Sequence, residues 1–304
     1  MKKSLLTVAA ALLAVFSAGA QLLEVQSMEK VALPEGILAD QAMLSPDGQT
    51  IALTTMSGTL KLVDRAAGTA RTISRTGSMM DLAFTADGKS VVFREASTDI
   101  NHLRRVAVKT YNIATGATRT ISAPSRNLEA VEIAGNTVAT VESGVMRARN
   151  AANGETAARV SRAVPSIERG RLYITIGGER RLLSPLGTEG MSYLWPSVSP
   201  DGSRIAFYAA GYGTYTCRLD GSDLRRVGRL EAPVWYDNEI LVGMRTRNNG
   251  VITTEGRIIA TNLDGTESQV LTDESQIAVL PAASEGRISY TTTDGKMFIL
   301  NVSK

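Results

Sequence analysis

A short motif that returns along the chain sets the strongest limit on its fold. Leu44-Ser-Pro-Asp-Gly48 runs into QTIAL, Phe84-Thr-Ala-Asp-Gly88 into KSVVF, and Val198-Ser-Pro-Asp-Gly202 into SRIAF. Each copy reads as a strand, an Asp-Gly turn and a second strand. Glycine accepts the positive φ of a tight hairpin, and the aspartate side chain can accept hydrogen bonds from nearby backbone N–H groups. Proline ahead of the aspartate withholds an N–H where the ladder ends. Looser copies stand at Ile133-Ala-Gly-Asn136 before TVATV, Glu168-Arg-Gly170 before RLYITI, Asp237-Asn238 before EILVG, and Ser284-Glu-Gly286 before RISYT. The turns recur at spacings of roughly 32 to 48 residues. Pro165, Pro196, Pro233 and Pro281 each stand two residues before the same strand position, which fixes the register of the copies.

A second hairpin recurs between these turns. Residues 63–74 (VDRAAGTARTIS) and 111–122 (YNIATGATRTIS) are near duplicates, and 148–161, 217–228 and 261–272 keep the order strand, glycine-containing turn, strand. Four strands per unit of roughly 40 residues is the pattern of a β-propeller blade. The chain is therefore expected to be all-β, a propeller of seven blades with six as the alternative. The fourth unit, residues 165–186, is short and predicts a shortened blade. The last unit lacks a fourth strand, so Leu22–Leu33 is expected to pair as its outer strand and close the ring.

Residues 1–20 read as an export signal: Lys2 and Lys3, an apolar run from Leu5 to Phe16, and Ala18-Gly19-Ala20 as a cleavage site. The run is shorter than the ~20 residues that span a bilayer. No cysteine follows the cleavage site, which argues against a lipid anchor. Residues 21–304 are then a single propeller domain, periplasmic or secreted, with no stable membrane insertion. Without the two lysines the formal charge falls from +3 to +1. The arginine pairs Arg104-Arg105, Arg180-Arg181 and Arg225-Arg226 are isolated, so no nucleic-acid surface is expected.

The SPDG-centred turns at Asp47 and Asp201, the TADG turn at Asp87 and the LDG hairpins at Asp220 and Asp264 resemble the TolB-type propeller repeat of periplasmic proteins. The resemblance spans about residues 40–302 and implies the propeller fold. It implies little about activity, since such propellers include scaffolds of the cell-envelope Tol system. Only Gln21 to about Leu38 precede the first blade, which leaves no room for the separate α/β domain of TolB itself.

The counts of reactive side chains restrict the chemistry. One histidine, His102, and one cysteine, Cys217, cannot make a disulfide, a zinc cluster or a CxxC pair within one chain. There is no GxSxG elbow, no GxxxxGK[ST] loop and no GxGxxG after a strand. Each SPDG turn offers one carboxylate, where calcium takes six or more oxygens. No metal or cofactor is expected. Two carboxylates can hydrolyse a glycoside without histidine, and Glu95, Asp99, Glu189 and Glu231 are the candidates. His102 reads as an exposed loop residue, Cys217 as a buried thiol in a strand, and Trp235 as packing between blades.

Connections between second and third strands leave a propeller on the face where the inner strands begin, and loops there are free to vary on a rigid scaffold. Residues 95–104 and 244–256 are the long ones. Tyr193, Trp195, Tyr212, Arg245, Arg247 and Asn248 are expected to cluster on that face as a partner site, arginine for acidic groups and aromatics for sugar rings or an apolar pocket. The favoured reading is a monomeric, non-catalytic binder of a protein or cell-envelope glycan. The alternative is a carbohydrate-active propeller enzyme, a hydrolase or lyase, using paired carboxylates or a divalent metal.

Overall fold

The computed structural model describes residues 21–157, 162–284 and 286–304, and for 77–81 the backbone alone. The export segment read at 1–20 lies outside the described residues, as do 158–161 and Glu285. Seven small antiparallel sheets form a ring, and among the described residues there is no helix.

Blade one holds Ala39–Leu44, Thr50–Thr55, Leu60–Asp64 and Thr69–Ser74, from the innermost strand outward. Blade two repeats that order with Gly77–Phe84, Ser90–Thr98, Arg104–Asn112 and Thr118–Ser125. Blade five holds Tyr193–Val198, Arg204–Ala209, Gly213–Arg218 and Arg225–Gly228, and blade six Glu231–Trp235, Ile240–Asn248, Thr253–Asn262 and Ser268–Val270. Blade four is three-stranded, as its short unit predicts: Val164–Glu168, Arg171–Ile176 and Glu179–Leu182. Blade three, Leu128–Ala134, Thr137–Glu142 and Val145–Asn150, is also three-stranded. The outer strand expected from 148–161 is reduced, among the described residues, to a single bridge between Arg149 and Thr156.

Blade seven is completed by both ends of the chain. Ala278–Ser284, Arg287–Thr292 and Met297–Ser303 are joined by Glu24–Lys30, which pairs antiparallel with the last strand from Glu24 opposite Ser303 to Lys30 opposite Phe298. Leu23, just ahead of that strand, is buried between blades six and seven. The Gln269 side chain of blade six clasps it, accepting from the Leu22 and Leu23 N–H groups at 2.9 Å and donating to the Leu23 carbonyl at 2.7 Å.

The core is divided as the ring is. Seven apolar clusters each fill one interface between adjacent blades. Strand alternation explains the division, because successive side chains point to opposite faces of a blade. In blade one Ile51 and Leu53 face blade seven while Ala52 faces blade two. In blade five Ile205 and Phe207 face blade four while Ala206 faces blade six.

The repeated turns are closed by more than Asp-Gly. The Ser45 hydroxyl donates to Asp47 at 2.5 Å, Thr85 to Asp87 at 2.7 Å and Ser199 to Asp201 at 2.6 Å. Each aspartate also accepts the backbone N–H two residues on, from Gln49, Lys89 and Ser203. Gly48, Gly88 and Gly202 take the φ values of 73°, 67° and 77° that the turn demands. Hydroxyl and N–H donors stabilise the ionised form and hold these carboxyls below their ordinary range. Asp223, held by Arg225 and Arg204, falls to about 2.

Ring closure predicts the response to change at the N-terminal strand. Deleting residues 21–33 should lower the melting temperature sharply, and Leu23→Ala alone should cost about 2–5 kcal/mol of unfolding free energy. An unaltered denaturation curve for Leu23→Ala would contradict the closure. Acid should also act on the turns. Carboxyls whose folded pKa lies below the unfolded value near ~3.9 contribute in full above that value, and lose the contribution as pH falls through the folded pKa. The melting temperature should therefore drop between about pH 4 and about pH 2. An Asp223→Asn variant, which cannot titrate there, should show a smaller acid loss than the parent.

Candidate functional site

The inner strands begin, and the second and third strands are joined, on one face, called here the loop face. The Asp-Gly turns lie on the opposite, turn face. On the loop face, three successive blades share a departure from regular pairing. Register slips between Leu194 and Ser197 in blade five, between Glu231 and Val234 in blade six, and between Val279 and Ala282 in blade seven. At each slip a non-glycine residue directly before proline has positive φ: Trp195 at 47°, Ala232 at 46° and Leu280 at 51°. Such residues belong to a sparsely populated region of backbone space and persist only where the surroundings enforce them. The recurrent prolines thus mark bulges that turn the inner strands, a role beyond the register marks read from sequence. Pro165 of blade four lies in an unbroken register.

The bulge separates two aromatic residues that sequence reading placed together. Tyr193, before the slip, is fully buried between blades four and five. Its ring centroid lies 5.3 Å from that of Phe207, and its hydroxyl donates to the Gly187 carbonyl at 2.9 Å and accepts the Leu186 N–H at 2.8 Å. Tyr193 therefore leaves the expected site: it has no exposed surface, and its hydroxyl is already engaged. Trp195, past the start of the slip, is 45% exposed and packs one side of its ring against Tyr208 at 5.4 Å. Trp235 is buried as expected, its indole N–H donating to the Ser197 carbonyl of blade five at 3.3 Å.

On Trp195's blade and the next, two guanidinium groups rest on backbone carbonyls. Tyr212, in the turn joining the second and third strands of blade five, is 51% exposed, and its carbonyl accepts from Arg226 at 3.4 Å. Arg229 connects blades five and six, and its carbonyl accepts from Arg245 at 3.5 Å. Among the described residues no carboxylate lies within ion-pair distance of Arg226, Arg229 or Arg245, whereas Arg225 pairs with Asp223 at 2.9 Å and Arg257 with Glu274 at 2.8 Å. Arg247 lies two residues from Arg245 on the same strand and reaches Glu255 at 3.5 Å, both side chains well exposed. Asn248 is turned to its own loop, accepting the Gly250 N–H at 3.2 Å. The expected Tyr212, Arg245 and Arg247 thus share one stretch of the loop face, joined by Arg226 and Arg229. Sequence reading took Arg225-Arg226 as an isolated pair and passed over Arg229, because only the pairing of blades five and six brings them beside Arg245.

The candidate acids are dispersed. Glu95 binds Ser74 and Lys109. Asp99 closes the tip of the blade-two hairpin, accepting from the Leu103 and Asn101 N–H groups and from Arg105 at 2.8 Å, which keeps its carboxyl below the usual range. Glu189 is exposed in the connection from blade four. Glu231 accepts the Thr246 hydroxyl at 2.6 Å, and Thr246 lies between Arg245 and Arg247. It is the one candidate acid in blade six. Two carboxylates not singled out from sequence, Glu129 and Glu168, do meet, through Arg180 at 2.9 and 3.0 Å, with Arg180 also 3.8 Å over the Tyr173 ring. That cluster ties the two short blades together and carries one net negative charge. His102 is exposed at the blade-two tip, with φ of 60°. Cys217 is buried, and burial pushes its thiol up to about 12. Among the described residues no three of His, Cys, Asp and Glu converge.

The two tryptophans supply a direct check. In a Trp235→Phe protein, emission should come from Trp195 and be readily quenched by iodide or acrylamide. In Trp195→Phe, the remaining emission should be blue-shifted and poorly quenched. Equal quenching in the two variants would contradict the placement of Trp195.

No family model and no curated protein matches the chain. Among solved structures it is similar to the oligogalacturonate lyase of Vibrio parahaemolyticus, at 12% identity and a TM-score of 0.58, over 95% of this chain and 99% of that one. At that identity the likeness concerns the fold: both are β-propellers.

Proposed function

We propose that this propeller acts on an anionic, uronate-bearing oligosaccharide held on the loop face of blades five and six. The observation that carries the reading is Arg226, Arg229 and Arg245: no carboxylate of the described residues lies within ion-pair distance of any of them, and the guanidinium groups of Arg226 and Arg245 rest on backbone carbonyls. A guanidinium binds a carboxylate through two parallel N–H donors, and it keeps its charge at every pH the protein meets. Exposed Tyr212 stands in the same stretch and Trp195 on the same face, which suits a chain of sugar rings that needs both charge pairing and stacking.

Turnover is favoured over bare capture by the likeness to a propeller that is an oligogalacturonate lyase. Within the carbohydrate-active reading, elimination fits better than hydrolysis. Hydrolysis of a glycoside takes two opposed carboxylates, and Glu231 is the one candidate acid in the strands of blades five and six. Elimination next to a uronate takes one base for the proton α to the carboxylate, and cations to stabilise the charge that develops on that carboxylate. Glu231 is then the base, oriented by the Thr246 hydroxyl, and Arg229 and Arg245 stabilise the developing charge. Electrons from the broken C–H bond form the new double bond, and the glycosidic oxygen leaves with its bonding pair and takes a proton from water, while Glu231 holds the one it removed. The TolB-like repeats support placing this chemistry in the periplasm or outside the cell.

The test is incubation with oligogalacturonates, following the ultraviolet absorbance of the unsaturated product alongside calorimetric binding. Arg226→Ala/Arg229→Ala/Arg245→Ala should weaken binding at least about tenfold, some 1.4 kcal/mol. Glu231→Gln should bind and show no product. Binding without product in the parent would support a non-catalytic glycan binder instead, and neither binding nor product would overturn the proposal.

A further inference from the structure

Two of the seven loop-face hairpins are longer than the rest, and both end in bare aliphatic side chains. In blade two the paired strands Ser90–Thr98 and Arg104–Asn112 have nine residues each, and in blade six Ile240–Asn248 and Thr253–Asn262 have nine and ten. The corresponding strands of blades one and five have five or six. Three further residues per strand carry each tip about 10 Å beyond its neighbours, at ~3.3 Å per residue. Ile100 at one tip is 95% exposed, and Val251 and Ile252 at the other are 88% and 61% exposed.

Both tips are built to hold these side chains outward. Asp99 accepts the Asn101 and Leu103 N–H groups, folding the turn beneath Ile100. Asn249 accepts the Val251 and Ile252 N–H groups at 3.0 Å in the same manner. Arginines stand just behind each tip. The tip carboxylates Asp99 and Glu255 are matched by Arg105 and Arg247, which leaves Arg104 without a carboxylate among the described residues.

We propose that the two hairpins seat the loop face on an anionic lipid surface. Shape and charge both select that occupant. A protein partner buries one contiguous apolar patch with a polar rim, whereas here one or two aliphatic side chains sit on each of two prongs, with blades seven and one between them on the shorter way round the ring. A bilayer is laterally continuous and meets both prongs at once. Aliphatic groups reach the boundary of headgroup and acyl chain at a depth of roughly 5–10 Å, and the arginines of the hairpin strands behind them then face the headgroup phosphates. Neither contact suffices alone. A few aliphatic side chains and a few charges act together, as two weak membrane signals do.

The experiment is co-sedimentation of the protein with vesicles of equal parts phosphatidylcholine and phosphatidylglycerol, and with vesicles of phosphatidylcholine alone. Ile100→Ser/Val251→Ser/Ile252→Ser is the variant, since none of the three belongs to the site proposed for the oligosaccharide. The expected result is binding to the anionic vesicles that falls as salt is raised, and at least a tenfold loss in the variant at an unchanged melting temperature. Failure of the parent to sediment with anionic vesicles, or equal sedimentation of the variant, overturns the proposal. A parent that is dimeric on gel filtration while the variant is monomeric also overturns it, by showing that the tips pack on a second copy.

Discussion

No blade of this protein can bury itself. A four-stranded sheet has two faces, and here both are apolar, so each blade is stable only between two others and the ring must close for the first and last to be covered. The seven separate clusters, one at each interface, are the direct expression of that constraint. Closure then falls to Glu24–Lys30, which supplies the outer strand of blade seven, and to Leu23, which the side chain of Gln269 holds in the interface with blade six. Arg65 extends the tie into blade one, pairing with Glu29 at 2.7 Å and with the Gly48 carbonyl at 2.6 Å. The chain ends are therefore joined to three blades by backbone pairing, burial and charge together.

Most of this architecture is legible in the sequence because its signals are local. Asp-Gly between two Val/Ile-rich runs specifies a hairpin whatever surrounds it, and three such hairpins with four looser copies at blade spacing specify the ring. The missing fourth strand of the last unit pointed to the N-terminal segment for the same reason. Blade three escaped that logic. Residues 148–161 carry the hairpin composition, yet the described part of its second arm pairs at one bridge only, Thr156 with Arg149. Composition records the capacity to pair, and a partner edge of sufficient length decides whether pairing occurs. The proline marks show the opposite case, a correct regularity with an incomplete meaning. They fix the register of the copies, but three of the four also sit at bulges whose preceding residue is left-handed, a conformation that no residue preference would suggest for Trp195 or Leu280.

The site was legible only in part, and the reason is again the bulge. Strand alternation alone would put Tyr193 and Trp195, two residues apart, on the same side of their strand. The slip between Leu194 and Ser197 breaks that rule, sending one ring into the interface with blade four and leaving the other in solvent. Arg245 and Arg247 were legible as residues of a long loop-face connection. Arg226 and Arg229 were not, because their significance lies in the absence of acids around them, and an absence of neighbours is a property of the folded ring.

Where function sits follows from which charges the fold has already used. On the turn face, Asp47, Asp87, Asp201, Asp220 and Asp264 each accept a hydroxyl and an N–H from their own turn. Their carboxyls are held low by bonds that complete the hairpin. Arg180, between Glu129 and Glu168, is likewise neutralised where blades three and four meet. Arg226 and Arg245 differ in kind. Each rests on a backbone carbonyl, which orients the guanidinium without cancelling its charge. An oriented cation with an unmatched charge loses little freedom on meeting an anion and gains a full ion pair. Arg226 and Arg245 thus lie in one sector of one face, and it is in that sector that the inner strands are bulged, Trp195 is turned outward and the blade-six hairpin is lengthened.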